Sequence, residues 1–496
     1  MSAIITNNFR RNSCKSFVDQ ITSSNDYFIG IGKSDKWPDS SNYSEDNQLF
    51  EVPLPNGTII ENQDVLDNLI SLVRVKDTEV LVPRNSWESG RKYKVYDPYD
   101  PLSFDYEGDM HPCYITVNEC IYVCLDNNTL GFSTVPPGTN YVNFKYEPDA
   151  DTGAIHVLET TDGYTWAFLQ QNSVGSNFYT EQFIPIAEDT QTPDNAKLAT
   201  GGLIYNFKIV AGGTNLTGSE NIILKGVDEN GENIEQINLQ TDVRFVVNYA
   251  SGTSIVSSIK YTELNNLPGI STTNALMGYS KASIEVYNSY NDLLEDVRIQ
   301  PLIAPIGGFG ARPSRDLPSY YAGCYSRFSG SVDGEALVDT PMRQISLIKD
   351  PQRNTTGVTA GETPVGIQYT DEEALDAVDY IQCDANTLTR SFTAGSIITQ
   401  GDVRVYVDFI DMVNDRIFYH TNSNYNVNYV PLTADQSITI TPLNGDSDEV
   451  IDASSIDSVV TSEYIHNTGD VVFIDHRKKI VRNSDQTEDI KIVIQF

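Results

Sequence analysis

Residues 469–496 read GDVVFIDHRKKIVRNSDQTEDIKIVIQF. In the second half, Ile490, Ile492, Ile494 and Phe496 alternate with Asp489, Lys491, Val493 and Gln495. This is the two-residue period of a half-buried strand. The last residue is large and apolar and falls on the inward side, where chain ends are more commonly polar and frayed. The pattern predicts a C-terminal strand that completes a sheet laid down by earlier segments. Removing Val493–Phe496 would delete two inward side chains, Ile494 and Phe496, and is expected to destabilise the fold.

Two earlier stretches match this one in character. DYFIGIGKSDKWPD, residues 26–39, predicts a short strand over YFIGIG followed by a loop. Its Gly30-x-Gly32 pair lacks the third glycine and the following helix of a phosphate-binding loop. The glycines are expected to let neighbouring backbone approach closely. MRQISLIKDP, residues 342–351, predicts a strand leading into a turn. Helices are expected over 7–22, with Phe9, Phe17 and Ile21 on one side, and over 63–75.

From about residue 80 the chain reads as β. YITVNECIYVCLDN, NYVNFKYEP, HVLETTDGYTWAFLQ and EQFIPI are short apolar-alternating runs parted by Asn, Asp, Gly and Pro. Between 200 and 300, further runs recur at the spacing of a small β-sandwich, with a hairpin turn at Asp228–Gly231. GGFGARP, residues 307–313, is loop chemistry, and Arg312 and Arg315 are candidates either for a partner carboxylate or for an internal salt bridge. Residues 351–470 carry 19 acidic side chains against 4 arginines, or −15. Val403, Val405, Val407 and Phe409 alternate there as a strand, followed by a DMVND turn and RIFYH.

Composition narrows the function. The 496 residues exceed a single core and call for two to four domains. Hydrophobic residues at 40% and aromatics at 10% exclude a disordered chain. The absence of a long apolar run and of a signal-peptide core predicts neither a membrane span nor export through the secretory route. A net charge of −35 disfavours nucleic acid and suits basic partner surfaces. Cys14, Cys113, Cys120, Cys124, Cys324 and Cys383 include no CxxC pair, and are expected as buried thiols in a reducing compartment.

Catalytic templates are missing: no GxxxxGK[ST], HExxH, GxSxG or kinase signature occurs. His111, His156, His420, His466 and His476 show no metal-pair spacing. Residues 444–452, NGDSDEVID, do not follow the spacing of an EF-hand calcium loop. Carboxylates near aromatics, as in Asp162-Gly-Tyr164-Thr-Trp166, suit a sugar cleft, but the same residues read as a turn and a strand whose Trp166 and Phe168 enter the core.

Several segments together resemble one family. DYFIGIGKSDKWPD, VLVPRNSWESG, TDGYTWAFLQ with EQFIPI, MRQISLIKDP and residues 469–496 occur in the order seen in a dimeric, mostly β baseplate wedge subunit of T-even-like contractile-tailed bacteriophages. The last block is the most specific: Gly469, an aliphatic-aromatic strand, Arg477, Ile480, Asp485-Gln486-Thr487-Glu488 and a strand ending in Phe496. Residues 200–300 and 353–467 lie outside the resemblance.

The resemblance implies a mainly β, multidomain protein with a few short helices, in which inserted β domains interrupt a β-sandwich-like discontinuous core domain. The expected boundaries are 1–85, 305–352 and 468–496 for the core, 86–304 for a β-rich insertion with a lobe at about 200–300, and 353–467 for an acidic β insertion. It further implies a homodimer that docks on other wedge proteins, takes part in baseplate assembly and rearrangement, and resides in the virion tail after assembly in the host cytoplasm. No catalysis, cofactor, metal, nucleic acid or membrane is expected. Arg312, Arg315, Arg477 and Lys478 are the candidate partner contacts. The alternative is a β-rich protein that binds or degrades carbohydrate on a host surface.

Overall fold

The computed structural model describes residues 5–24, 26–39, 43–138, 141–144, 157–172, 175–187, 201–242, 245–250, 255–261, 276–329, 340–353, 367–368, 374–421, 430–481 and 486–496. His156, and Asp485 of the C-terminal block, lie outside them. Strands make up 46% and helices 9%, so the protein is mostly β, with several separate sheets. The chain divides into two compact units, each built from separated stretches. The first takes the chain up to Ser16, Glu79–Ala322 and Ile494–Phe496; the second takes Phe17–Thr78 and Gly323–Val493.

In the second unit, a five-stranded antiparallel sheet runs in the order Ala374–Asp376, Leu69–Arg74, Tyr27–Gly32, Pro341–Lys349, Asp470–Val481. Phe28, Leu69, Leu72, Ile348 and Leu375 close a common core on it. The Tyr27–Gly32 strand is buried along its whole length, as befits the centre of a sheet covered on both faces. An added Cβ at Gly30 would lie 2.8 Å from both Leu69 and Ser346 side-chain atoms, and at Gly32 2.5 Å from the Asn68 carbonyl oxygen. The second contact is with backbone and cannot be relieved by a rotamer. Gly32→Ala is therefore expected to destabilise by about 2–3 kcal/mol in urea unfolding, as overpacking does.

The helix expected over 63–75 is corrected. A helix covers Ile59–Asp67 and a strand covers Leu69–Arg74. Thr58 caps the start by accepting from the Glu61 N–H. Asn68 ends the helix, its Nδ2 donating to the Asp64 carbonyl at 2.7 Å. Beyond it, LISLVR is a short continuous apolar run, which periodicity alone does not assign; pairing with Tyr27–Gly32 makes it a strand.

Also in the second unit, seven antiparallel strands run in the order Glu449–Ile451, Ile438–Thr441, Ile397–Gln400, Val403–Asp411, Arg416–Thr421, Asp379–Cys383, Ile456–Val460. Ile381, Ile398, Val405, Val407, Ile417 and Ile440 form its core. The expected inward sequence Val403, Val405, Val407, Phe409 is broken. The register shifts between Val407 and Phe409, so that Asp408 and Ile410 are buried and Phe409 is only half-buried. A β-bulge reverses the side-chain alternation at this point.

In the first unit, Tyr114–Val117 and Cys120–Asn127 form a hairpin whose turn residues Asn118 and Glu119 both have positive φ, the primed geometry that matches strand twist. Tyr164–Gln171 pairs with Cys120–Asn127 and sends Trp166 and Phe168 into a buried aromatic cluster with Tyr93, Tyr122 and Tyr164. The preceding Asp162 accepts from the N–H groups of Thr134 and Val135, at 2.7 and 2.9 Å, and so fixes a turn.

Strands between 201 and 303 build three small sheets over a second, larger core, in which Ile204, Ile222 and Leu224 join Tyr114, Ile121, Val123 and Leu169. Two loops in this lobe share one construction: Asp228 N–H donates to Glu232 O, as Asn288 N–H does to Asp292 O. Ile234 N–H returns to Gly226 O, as Leu294 N–H does to Val286 O. The flanking strands Asn221–Val227 and Lys281–Tyr287 pair antiparallel, so the two turns are related within one sheet.

The C-terminal strand spans Thr487–Gln495. Ile490 and Ile492 are buried, whereas Ile494 and Phe496 are half-buried. The Phe496 N–H donates to Tyr320 O at 2.9 Å. Deleting Val493–Phe496 is accordingly expected to cost about 2–4 kcal/mol in total, less than two fully buried side chains would. An unchanged unfolding midpoint would show that the end contributes no packing.

Candidate functional site

Pairing between Pro341–Lys349 and Asp470–Val481 is interrupted where the basic residues lie. Met342 faces Ile480 and Gln344 faces His476, so Arg477, Lys478 and Lys479 stand opposite Arg343 alone. The extra residues bulge from the ladder, and all three are exposed. Asp470–Val481 is the last strand in its sheet order, where bulges and lysines are common devices against indiscriminate pairing.

The bulge is held from the N-terminal side of the same unit. The Trp37 indole Nε1 donates to the Arg477 carbonyl at 2.9 Å, and its ring lies 4.6 Å from the His476 ring. His476 Nδ1 donates to Pro53 O at 2.8 Å. Lys478 Nζ donates to Gln48 O at 3.2 Å, and Arg477 Nε donates to Asp475. Backbone and aromatic contacts thus fix the strand, while three cationic side chains face solvent.

Beneath the bulge Arg343 is buried. Its Nε donates to Glu45 and one terminal nitrogen to Ser34 O. Side-chain exposures of 2% and 3% make Arg343 and Glu45 a true interior ion pair. Ser34 continues the network: its hydroxyl donates to Asp408, whose Oδ1 also lies 2.9 Å from His420 Nδ1. Burial pulls the His420 pKa down, but Asp408 outweighs it and the net shift is upward. Serine and histidine both engage the carboxylate and no histidine nitrogen is bonded to the serine, so the order needed for nucleophile activation is not formed.

Arg312 and Arg315 lie in the first unit. Arg315 pairs with buried Asp316, Nε to Oδ1 at 2.8 Å, and donates to Ile306 O at 2.9 Å. Burial pushes the Asp316 pKa up, against the Arg315 hydrogen bond and the nearby Arg11 charge. Arg312 is exposed, and its carbonyl accepts from the N–H groups of Arg315 and Asp316. Of the four sequence candidates, Arg477 and Lys478 therefore share one surface with Lys479, while Arg315 is committed to an internal pair.

Among the described residues, no group of three His, Cys, Asp or Glu side chains could hold a metal ion. In the 444–452 stretch, Glu449 is engaged by Arg390 at 2.6 Å. The six cysteines are free thiols; all but Cys120 are buried, and burial raises the Cys113 and Cys124 pKa. Trp37 and Trp166 are buried and Trp87 is half-buried, its Nε1 donating to Ser133 Oγ at 3.0 Å. No described helix is long and apolar enough to cross a membrane.

Sequence reasoning missed Lys479, Arg343, Glu45 and Asp408. The only available signal was the run His476–Lys479 in an otherwise acidic chain. Comparison with known proteins finds no protein-family model that matches the chain and no curated protein that matches it.

Proposed function

We propose that the protein is a non-enzymatic structural component of a contractile-tail baseplate wedge, a dimer that docks on other wedge proteins. The observation that carries this reading is where the family-resembling stretches fall. Residues 26–39, 342–351 and 469–496 contribute adjacent strands Tyr27–Gly32, Pro341–Lys349 and Asp470–Val481 of one sheet, and Trp37 covers the last of them. These three stretches thus form one packed scaffold and its cover, as an assembly part requires, while VLVPRNSWESG, TDGYTWAFLQ and EQFIPI fall in the first unit. An acidic chain with a basic bulge also suits recognition of an acidic partner segment, since complementary charge steers association and fixes register.

Solution mass measured alone and after mixing with tail-lysate proteins tests the reading. A dimer that enters tail intermediates is expected; a monodisperse monomer that joins none overturns it. Reversing the bulge, Arg477→Glu with Lys478→Glu and Lys479→Glu, is expected to weaken docking at least about tenfold while shifting stability by less than about 1 kcal/mol. Equal docking by the reversed and native proteins would remove the bulge from the interface.

A further inference from the structure

The first unit contains a cleft of about 510 Å³ that the assembly reading does not use. Its size falls in the range of roughly 300–1,000 Å³ typical of small-molecule sites. Residues from the loop after Lys94, the end of the Cys120–Asn127 strand and the 201–303 lobe line it. A smaller cavity of about 50 Å³ shares Asp126, Asn206, Phe207, Ile259 and Lys260 with it.

Its wall carries three ammonium groups, of Lys94, Lys208 and Lys260, and four carboxylates, of Asp97, Asp100, Glu107 and Asp126, and the ammonium groups are already engaged. Lys208 pairs with Asp97 at 2.5 Å, Lys94 with Glu107 at 3.0 Å, and Lys260 donates to Asn128 Oδ1 at 3.1 Å. An entering anion would compete with carboxylates for these ammonium groups. An entering cation would meet the ammonium groups themselves. The wall instead offers many donors and acceptors of both kinds close to apolar surface from Phe207, Ile209 and Leu302. A ligand that matches this is uncharged, carries hydroxyls that both donate and accept, and has C–H faces to lay on the apolar floor.

One edge of the cleft is held in an unusual conformation. Asn128, Thr129 and Leu130 have φ of 47°, 56° and 65°, three consecutive non-glycine residues in the left-handed region. The Asp126 carboxylate accepts from Asn128 N–H at 2.8 Å and Asn127 Oδ1 from Leu130 N–H at 3.2 Å, so the edge is fixed before any ligand arrives. Such backbone persists only where its surroundings enforce it, and it is concentrated at ligand-binding sites. Leu130 itself is 59% exposed at this edge.

From the cleft's size, its polar wall of mixed and mutually engaged charge, and its apolar floor, we infer that it binds a neutral saccharide. This goes beyond the assembly role, which needs no small-molecule site, and it includes no reaction. The test uses the full chain, with saturation-transfer NMR and calorimetry against D-galactose, N-acetyl-D-glucosamine and maltotriose, and with inorganic phosphate and putrescine as charged probes. At least one neutral saccharide is expected to bind at millimolar affinity or better. Ser257→Trp, which fills the cleft from an exposed position, is expected to weaken it at least about tenfold with unchanged circular dichroism. Lys260→Ala serves as the second variant should Ser257→Trp not fold, with the same weakening expected. Absence of saccharide binding overturns the inference, as does stronger binding of phosphate or putrescine, or saccharide binding that neither variant alters. Because wedge docking is read by mass with tail proteins, failure here leaves that result separate.

Discussion

Replacing Arg343 with methionine is expected to destabilise the protein by about 3–5 kcal/mol, the range found when one partner of a buried ion pair is removed. The variant would leave the Glu45 carboxylate in the interior without its cation and the Ser34 carbonyl without its donor. Glu45 Oε2 already has no hydrogen-bond partner among the described residues, so the site has nothing in reserve. The intact pair need not be strongly stabilising: replacing both charges with apolar groups of similar size is often neutral or better. Arg343→Met with Glu45→Leu is therefore expected to recover most of the loss, giving a coupling of at least about 2 kcal/mol in a double-mutant cycle. Urea unfolding of the four proteins decides it. A loss below about 1 kcal/mol for Arg343→Met, or additive effects, would show that the pair is solvated in practice.

The same arginine sits opposite the bulge that exposes Arg477, Lys478 and Lys479. It also anchors, through Ser34 and Glu45, the segment that places Trp37 against His476. A structural charge below and an exposed basic triplet above thus share one irregularity in the sheet. The single Arg343→Met variant is expected to disturb docking as well as stability, whereas charge reversal of the triplet disturbs docking alone.

The period of two was readable wherever pairing was regular. Ile490 and Ile492, Val405 and Val407, and the YFIGIG strand are buried where alternation or glycine content placed them. Reading failed at irregularities. At Asp408 one extra residue exchanges the faces, so a carboxylate enters the interior and Phe409 leaves it. At residues 477–479 the ladder slips and exposes what would otherwise alternate. Neither slip has a local sequence sign, because a bulge is set by what the partner strand and the covering loop can accommodate. At Asn68 the chain turns from helix to strand inside one apolar run, and a side-chain cap decides it. The Arg343–Glu45 pair joins residues far apart in sequence, and only the tertiary fold brings them together. The cleft is likewise assembled from segments far apart in sequence, Asp126–Asn127, Asn206–Ile209, Ser257–Lys260 and the loop after Lys94, which only the tertiary fold brings together.

Asp376→Asn is expected to make stability less dependent on pH. Asp376 ends the Ala374–Asp376 strand, and its Oδ1 accepts the Val378 N–H at 3.1 Å. Burial raises its pKa from 3.8 to about 7; the neighbouring carboxylates of Asp379 and Glu463 push the same way, against the Val378 N–H bond and the weaker effect of His466. The folded state therefore holds a proton that the unfolded chain releases. Stability contributed by the neutral carboxyl is complete below about pH 4, falls as pH rises towards 7 and is absent above it. At about 1.4 kcal/mol for each pH unit between those values, the deficit of the native protein at pH 8 is about 4 kcal/mol. Asparagine keeps an acceptor for Val378 N–H and carries no charge at any pH. The variant and the native protein should therefore be alike at pH 4 and diverge steadily up to pH 7, with the variant the more stable. His420 acts in the same direction, because its raised pKa makes the Asp408 interaction weaken as pH rises, but it does so in both proteins and cancels in their difference. Urea unfolding of the pair at several pH values reads that difference directly. Parallel stability curves would mean that Asp376 is ionised in the native protein at neutral pH, and that water or a shift of the strand end solvates its charge.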